Sequence, residues 1–113
     1  MPYNLDLEYR IDRLTDRFGE LTKRKMFGGV GYLKNGNMCF GIHKEYLILR
    51  TSKDQAEDML KNEEYIKPFD ITGNPMKGWV MVSPDYVETE VELLEMLKLG
   101  VSFADTLPKK QDI

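Results

Sequence analysis

Residues 25–50 read KMFGGVGYLKNGNMCFGIHKEYLILR, and this stretch predicts three consecutive antiparallel strands. Within it, Asn35-Gly36 is the strongest hairpin signal, because a two-residue type I′ turn needs positive φ at both central positions, which Asn and Gly tolerate. Lys44-Glu45 is the next candidate turn, although its turn chemistry is poor and a longer loop is the alternative. The stretch therefore predicts a β-meander whose register starts from the first turn.

Side chains along these strands alternate between two faces with a period of two. Counting outward from the hairpin turn pairs Leu33 with Met38 and Tyr32 with Cys39. The first face, predicted to be the core, carries Phe27, Leu33, Met38, Phe40, Ile42, Leu47 and Leu49. The second face carries Val30, Tyr32, Cys39, Gly41, His43, Tyr46, Ile48 and Arg50. This second face is more apolar than a solvated face requires, and helix packing, an oligomer partner or another protein would each explain that.

The composition predicts a single domain spanning residues 1–113. Sixteen Lys and Arg residues against nineteen Asp and Glu residues give a net charge of -3, which argues against a domain that binds nucleic acid mainly through phosphates. The single cysteine, Cys39, cannot form an internal disulfide, and the sequence contains neither a signal peptide nor a long apolar run. We therefore expect a cytoplasmic protein that does not insert into a membrane.

Apolar residues at helical spacing predict three helices around the meander. The first covers residues 5–21, with Asn4 as its N-cap. Capping boxes at Ser52 and Thr89 open a short helix that ends near residue 62 and a C-terminal helix that ends near residue 106. The predicted buried stripes are Leu7, Ile11, Leu14, Phe18 and Leu21, then Ala56, Met59 and Leu60, then Val91, Leu94, Leu97, Val101 and Ala104.

Two further strands lie between the second and third helices. Pro68 confines any strand in residues 65–72 to a sheet edge or a bulge, because proline has no N–H to donate to the ladder. Residues 78–83 alternate Trp and Met against Val and predict a strand that Pro84 ends. Strands in runs, and not in strict alternation with helices, predict an α+β fold. We expect two layers in the order α-β-β-β-α-β-β-α, with helices packed mainly on one face of an antiparallel sheet.

The ordered set of these motifs resembles the N-terminal domain of the TfoX/Sxy family of bacterial competence regulators. The resemblance rests on KMFGGVG at 25–31, NGNMCF at 35–40, YLILR at 46–50, Lys67-Pro68-Phe69, Val82-Ser83-Pro84 and Ala104. It implies an α+β fold with helices against an antiparallel sheet. The best-known members are coactivators that promote transcription of DNA-uptake genes together with a cyclic-AMP receptor protein. Longer regulators carry a second, helix-hairpin-helix-like domain, which we do not expect in this chain, and the resemblance implies no catalytic residue and no cofactor.

Three motifs with the appearance of reactive sites have structural interpretations. Gly28, Gly29 and Gly31 lack the Lys-Ser/Thr end of a P-loop, so we interpret them as a bulge or as close packing. Cys39 and His43 project to the same side, yet their spacing is not that of a zinc site. Residues 70–73, DITG, are interpreted as a turn, since no second carboxylate loop accompanies them. We therefore predict no catalytic, cofactor-binding or metal-binding residues.

The leading hypothesis is a non-enzymatic module that contacts another protein, by resemblance a component or regulator of the transcription machinery. The predicted partner surface is Val30, Tyr32, Tyr46 and Ile48, and a homodimer through it is an alternative. Charge substitution at Tyr32 and Ile48 is expected to abolish association without unfolding the chain.

The second hypothesis is a nucleic-acid-binding domain. The basic cluster Lys23, Arg24 and Lys25 would contact phosphates, and Tyr32 and Tyr46 would provide a stacking platform for single-stranded bases. An enzyme or small-ligand protein is the third hypothesis, and its first support would be a deep pocket with converging polar groups.

Overall fold

Three α-helices pack on one face of a six-stranded antiparallel sheet in this computed structural model, which describes residues 3–26, 28–70, 73 and 75–110. The predicted α+β class with helices on one face is confirmed. The helices are α1 (Leu5–Asp12), α2 (Lys53–Met59) and α3 (Glu90–Asp105), and short 3-10 helices occupy Thr15–Phe18 and Pro84–Val87. The strands are β1 (Thr22–Met26), β2 (Gly29–Lys34), β3 (Asn37–His43), β4 (Tyr46–Arg50), β5 (Ile66–Pro68) and β6 (Trp79–Val82), in the spatial order β1-β2-β3-β4-β6-β5.

Both predicted hairpin turns are confirmed as two-residue loops. Asn35 and Gly36 have φ values of 54° and 82°, as a type I′ turn requires. In the second turn only Lys44 has positive φ, at 55°, and Glu45 does not. Positive φ at the first loop position alone is the pattern of a type II′ turn, in which that position favours glycine. Lys44 therefore occupies a strained backbone position that its side chain does not suit.

Replacing Lys44 by glycine is expected to stabilise the protein by about 0.5 kcal/mol. Relief of the left-handed conformation should exceed the added chain entropy of glycine in the unfolded state. The backbone bond from Asn4 N–H to the Lys44 carbonyl (2.8 Å) would remain, since it does not involve the side chain. Urea denaturation would measure the change. The matched control is Glu45→Gly, which has no positive φ to relieve and should lower stability; equal effects of the two substitutions would contradict the interpretation.

A β-bulge interrupts the pairing of β2 with β3 close to the first turn. Leu33 pairs with Met38 as predicted, but Tyr32 pairs with Phe40 and not with Cys39. Cys39 is thus the extra residue of β3, and every pair further from the turn is offset by one position. Side chains alternate between the two sides of the sheet. An offset of one residue therefore places each β3 side chain beyond the bulge on the other side relative to β2.

The bulge divides the predicted core face between the two sides of the sheet. Phe40 shares the helix-covered side with Tyr32, whereas Leu33 and Met38 lie on the opposite side. The predicted assignment of Leu33, Met38 and Phe40 to one face is therefore wrong. The turn correctly predicts the pairs next to it, such as Leu33 with Met38. The sequence of the turn does not encode the bulge. Beyond the bulge, β3 residues therefore lie on the same side as β2 residues that were predicted to lie on the opposite side. Phe27, also assigned to that face, lies outside the described residues.

β1 is a strand that the sequence interpretation missed. The predicted strands begin at residue 25, yet Thr22–Met26 forms a strand of its own that pairs along its whole length with β2. Four of its five residues are exposed, so neither apolar alternation nor burial marks it. The strand forms because its backbone completes the ladder of β2 at the sheet edge, which adds one strand to the predicted order.

The first helix is shorter than predicted. Asn4 caps α1 by accepting a hydrogen bond from the N–H of Leu7 (3.0 Å), as expected. The helix ends at Asp12, however, and the chain tightens when the Leu14 N–H bonds to the Ile11 carbonyl at 2.8 Å. A 3-10 turn follows and ends at Gly19, whose φ is +77°. The apolar spacing persists through this region because a 3-10 turn still directs Leu14 into the core.

The last helix begins with its predicted capping box, but its buried face differs from the prediction in the first turns. Thr89 and Glu92 exchange both bonds of the box. Val91, assigned to the buried stripe, is 71% exposed, and Leu93 is fully buried instead. The physical reason is that α3 approaches the sheet through Gly100, which no apolar pattern includes. Leu97, Val101 and Ala104 of the predicted stripe are buried and Leu94 packs partly against the core, so the prediction is wrong only at Val91.

The remaining predictions for the second half of the chain hold in outline. The Ser52 hydroxyl caps α2, which ends at Met59 and not near residue 62. β5 forms an edge strand that contains Pro68, as expected. In β6 the two valines are buried in the core and Trp79 and Met81 are half-exposed on the other side.

Candidate functional site

The side of the sheet opposite the helices is the candidate functional surface. Its buried floor consists of Leu33, Met38, Ile48 and Phe69, and its half-exposed rim consists of Met26, Tyr46, Trp79 and Met81. We call these eight residues the open face. The core on the other side collects the buried residues of all three described helices.

Long methionine side chains cover the middle of the open face. Gly31 of β2 pairs with Gly41 of β3, so no side chain rises from the sheet at this pair. An added Cβ at Gly31 would collide with the sulphur of Met26, and one at Gly41 would lie 2.7 Å from Cε of Met38. The sheet is thus shielded by flexible thioether chains that can adapt to a partner's shape.

Each half-exposed aromatic ring on the open face has a cation above it. The Arg50 guanidinium carbon lies 5.3 Å from the centroid of Trp79, which also packs 5.9 Å from the ring of Phe69. Lys67 lies 5.6 Å from the ring of Tyr46, and its Nζ donates a 3.4 Å hydrogen bond to the phenol oxygen. These contacts hold the aromatic side chains and place positive charge at the surface.

Charge is segregated between the two layers of the fold. None of the six strands of the described chain contains Asp or Glu, although the whole sequence has nineteen such residues. The strands carry only cations, namely Lys23, Arg24, Lys25, Lys34, Arg50 and Lys67. The acidic residues lie on the helices and loops. Lys23, Lys25 and Lys34 point to the helix side, where Lys23 and Lys34 form ion pairs with helix carboxylates. The open-face side carries Arg24, Arg50 and Lys67, so this face is cationic although the chain has a net charge of -3.

The predicted partner surface does not exist as one surface. Val30 and Tyr32 are 3% and 1% exposed and lie in the helix-covered core. Ile48 lies on the open face but is fully buried in its floor, and only Tyr46 of the four is partly exposed. The prediction is wrong because the bulge placed the β2 residues on the opposite side from Tyr46 and Ile48, and because helices cover the β2 residues.

The predicted anion contact is also divided. Lys23, Arg24 and Lys25 alternate along β1, so Arg24 points to the open-face side and the two lysines to the helix side. Lys23 is engaged internally: its Nζ lies 2.8 Å from Glu8 and 3.1 Å from Asp12 of α1. Arg24 and Lys25 are exposed and form no ion pair within the described part of the chain.

A cluster of titratable groups joins α1 to the sheet edge. The phenol of Tyr32 donates a 2.6 Å hydrogen bond to Asp12, and Tyr3 donates one of 3.1 Å to Glu8. Burial and the bond to Asp12 both raise the pKa of Tyr32. Partial burial lowers the pKa of Lys23, but its hydrogen bonds to Glu8 and Asp12 outweigh this and raise it. The members of this cluster form hydrogen bonds and ion pairs with one another, which indicates a structural role.

Cys39 and His43 are not brought together. Cys39 is fully buried on the helix side, where burial, with a smaller effect of Asp105, raises the pKa of its thiol to about 11. His43 lies on the open-face side, with its ring 5.8 Å from that of Phe69. The shared side predicted for this pair is wrong because Cys39 is the bulge residue. Among the described residues, no three His, Cys, Asp or Glu side chains are placed to hold a metal ion.

Two structural interpretations remain from the sequence. Close packing explains Gly29, where an added Cβ would collide with the Ile42 carbonyl, so this prediction is confirmed. The predicted turn at 70–73 cannot be placed, because Ile71 and Thr72 lie outside the described residues.

An apolar groove of about 130 Å³ lies between α2 and the segment before β6. Ala56, Leu60, Pro68 and Met76 supply most of its apolar lining. Lys53, Glu57 and Lys77 are its ionisable residues. This groove is too small for most ligands of enzyme substrate size.

The open face as a whole was missed, although the sequence contains a signal for its charge. Residues 22–44 contain no Asp or Glu, an unusual run in a chain with an acidic total. The net charge of the whole chain does not reveal this acid-free run. The alternation of Trp79 and Met81 with valines was noted, but it could not show which side the helices cover.

The geometry defines a two-layer α+β domain with an acidic helical layer and one cationic sheet face that carries aromatic and methionine side chains. Residues 13–104 match the family described as the TfoX N-terminal domain, and the chain belongs to this family. No curated protein matches the chain. None of the helices within the described residues has the length and apolar character needed to cross a bilayer.

Proposed function

We propose that this chain is a non-enzymatic interaction module whose open face binds another protein. The observation that carries the proposal is the half-exposed cluster of Tyr46, Trp79 and Met81 on a sheet face that no described helix covers. Tryptophan, tyrosine, methionine and arginine are enriched at the centres of protein interfaces. Family membership supports a partner that belongs to the transcription machinery or regulates it.

Charge determines which partner suits the face. Arg50 and Lys67 stand beside the half-exposed rings of Trp79 and Tyr46, and the strands offer no acidic residue to balance these cations. A partner with an apolar centre and an acidic rim would complement this arrangement. Two copies of the chain stacked face to face would bring like charges together, so the charges disfavour a homodimer through the open face.

Nucleic acid is the second candidate, because the cationic sheet would also attract phosphates. The rings are less suited to it. Arg50 and Lys67 already lie over Trp79 and Tyr46, which leaves less free ring surface for stacking bases, and Tyr32 is buried in the core. Because cations already lie over these two rings, a protein partner is favoured over stacked bases.

The test compares two charge substitutions that both leave the core intact. Met81→Glu places a carboxylate in the centre of the open face, and Val91→Glu does the same on an exposed turn of α3. Immobilised wild-type and variant chains would capture proteins from nuclease-treated native extract. Each captured protein would then be purified, and its affinity measured directly against all three chains.

We expect Met81→Glu to weaken binding at least about tenfold and Val91→Glu to leave it unchanged. Equal binding by both variants would contradict the assignment of the surface. Capture that disappears after nuclease treatment would instead favour the second candidate. Binding of an oligothymidine that falls steeply across a salt series would confirm that alternative, because phosphate contacts release counterions.

A further inference from the structure

The two edges of the sheet differ in their capacity to accept another strand. β5, at one edge, has three residues and ends in Pro68, which has no N–H. β1, at the other edge, has five residues and no proline, and Thr22 to Lys25 are exposed. No backbone hydrogen bond of the described residues reaches the outer side of β1. Alternate N–H and C=O groups of β1 therefore face solvent.

The charge of β1 selects what can pair with this edge. Lys23 is neutralised by Glu8 and Asp12, but Arg24 and Lys25 have no such partner among the described residues. They are adjacent in sequence, so one lies on each face of the strand. An added strand with two adjacent acidic residues would place a carboxylate beside each cation.

A second copy of this chain is the wrong occupant for the same reason. Antiparallel pairing of β1 with itself would bring the lysines and arginine of both copies together, and like charges opposite each other are destabilising. Cationic residues on an exposed edge are a known device against such self-pairing. The cations of β1 therefore disfavour pairing with a second copy of the chain and favour pairing with an acidic strand.

We propose that the outer edge of β1 binds an extended, acidic segment of a partner protein as a seventh strand. This edge is distinct from the part of the open face around Met81, although Met26 of β1 belongs to the open face. Three strands separate β1 from β6, where the Met81 test is made, so at the usual strand spacing the two sites lie roughly 19 Å apart. Either site can therefore fail its test while the other passes.

The experiment uses a capped synthetic peptide in which two adjacent glutamates are flanked on each side by valine and threonine. Its affinity would be measured by fluorescence anisotropy with the full chain, and protection of amides 22–26 by hydrogen exchange. We expect saturable binding with protection of β1. The double variant Arg24→Glu/Lys25→Glu should weaken binding at least about tenfold, whereas Lys98→Glu, an exposed charge on α3, should not.

Two further peptides separate strand addition from simple charge attraction. A peptide with lysines in place of the glutamates should bind the double variant and not the wild type. A peptide N-methylated at every residue keeps its charge but has no N–H to donate to a ladder on either edge, and it should lose binding. Retained affinity of the N-methylated peptide, absence of binding by the parent peptide, or self-association of the chain through β1 would each overturn the proposal.

Discussion

Replacing Gly100 by alanine is expected to destabilise the protein by about 2 kcal/mol, although alanine is the better helix former. An added Cβ would collide with the carbonyl of Cys39 and lie 3.0 Å from Cδ1 of Leu49. Cys39 belongs to β3, which is held between β2 and β4, so its backbone cannot retreat without disturbing both ladders. The gain in helix propensity, about 1 kcal/mol, is therefore smaller than the cost of the collision.

Thermal unfolding would measure this effect as a fall in Tm of roughly 10 °C. The matched control is Ser102→Ala, an alanine substitution on the exposed side of the same helix, which should be neutral or slightly stabilising. An increase in Tm for Gly100→Ala would contradict the close approach of α3 to β3 at this glycine.

Replacing Tyr32 by glutamate is expected to unfold the chain. Tyr32 is 1% exposed, packs 5.1 Å from the ring of Phe40, and lies beside the carboxylate of Asp12. A glutamate there would be a buried charge next to a like charge, at a cost of about 4 kcal/mol or more. That cost approaches the whole stability of a typical domain. Circular dichroism and a urea titration would detect the loss of cooperative unfolding.

Two matched variants separate burial from other effects at this position. Tyr32→Phe removes only the hydroxyl that donates to Asp12, and we expect a loss of about 1 kcal/mol in a chain that still folds. Tyr46→Glu introduces the same charge on the half-exposed open face and should also fold. A folded Tyr32→Glu chain with normal stability would contradict the burial of Tyr32. It would also restore the original assignment of that residue to an exposed partner surface.

The difference between Tyr32 and Tyr46 illustrates how much of the site could be predicted. Both were placed on one face by counting from the Asn35-Gly36 turn, and that count was correct for the first two pairs. It became wrong at Cys39, because a bulge is selected by the packing of the whole hairpin and not by the turn. One inserted residue was enough to place the predicted surface in the core.

The basic cluster shows the same limit for charge. Lys23, Arg24 and Lys25 were recognised as adjacent cations, but the strand conformation of Lys23 and Arg24 was missed. In a strand adjacent residues point to opposite sides, so adjacency in sequence did not produce a single patch. The ion pairs of Lys23 with α1 join residues far apart in the chain and could not be anticipated from local sequence.

The sequence by itself determined the turns, the helix caps, the α+β class and the family, because each depends on residue types at short spacings. Tertiary structure alone decided which side of the sheet the helices cover, where the bulge falls, and which of the strand cations lie on the open face. Those features arise from contacts between distant segments, such as Gly100 against Cys39 and Lys23 against Glu8. Local preference can form a strand, but only packing assigns its two faces.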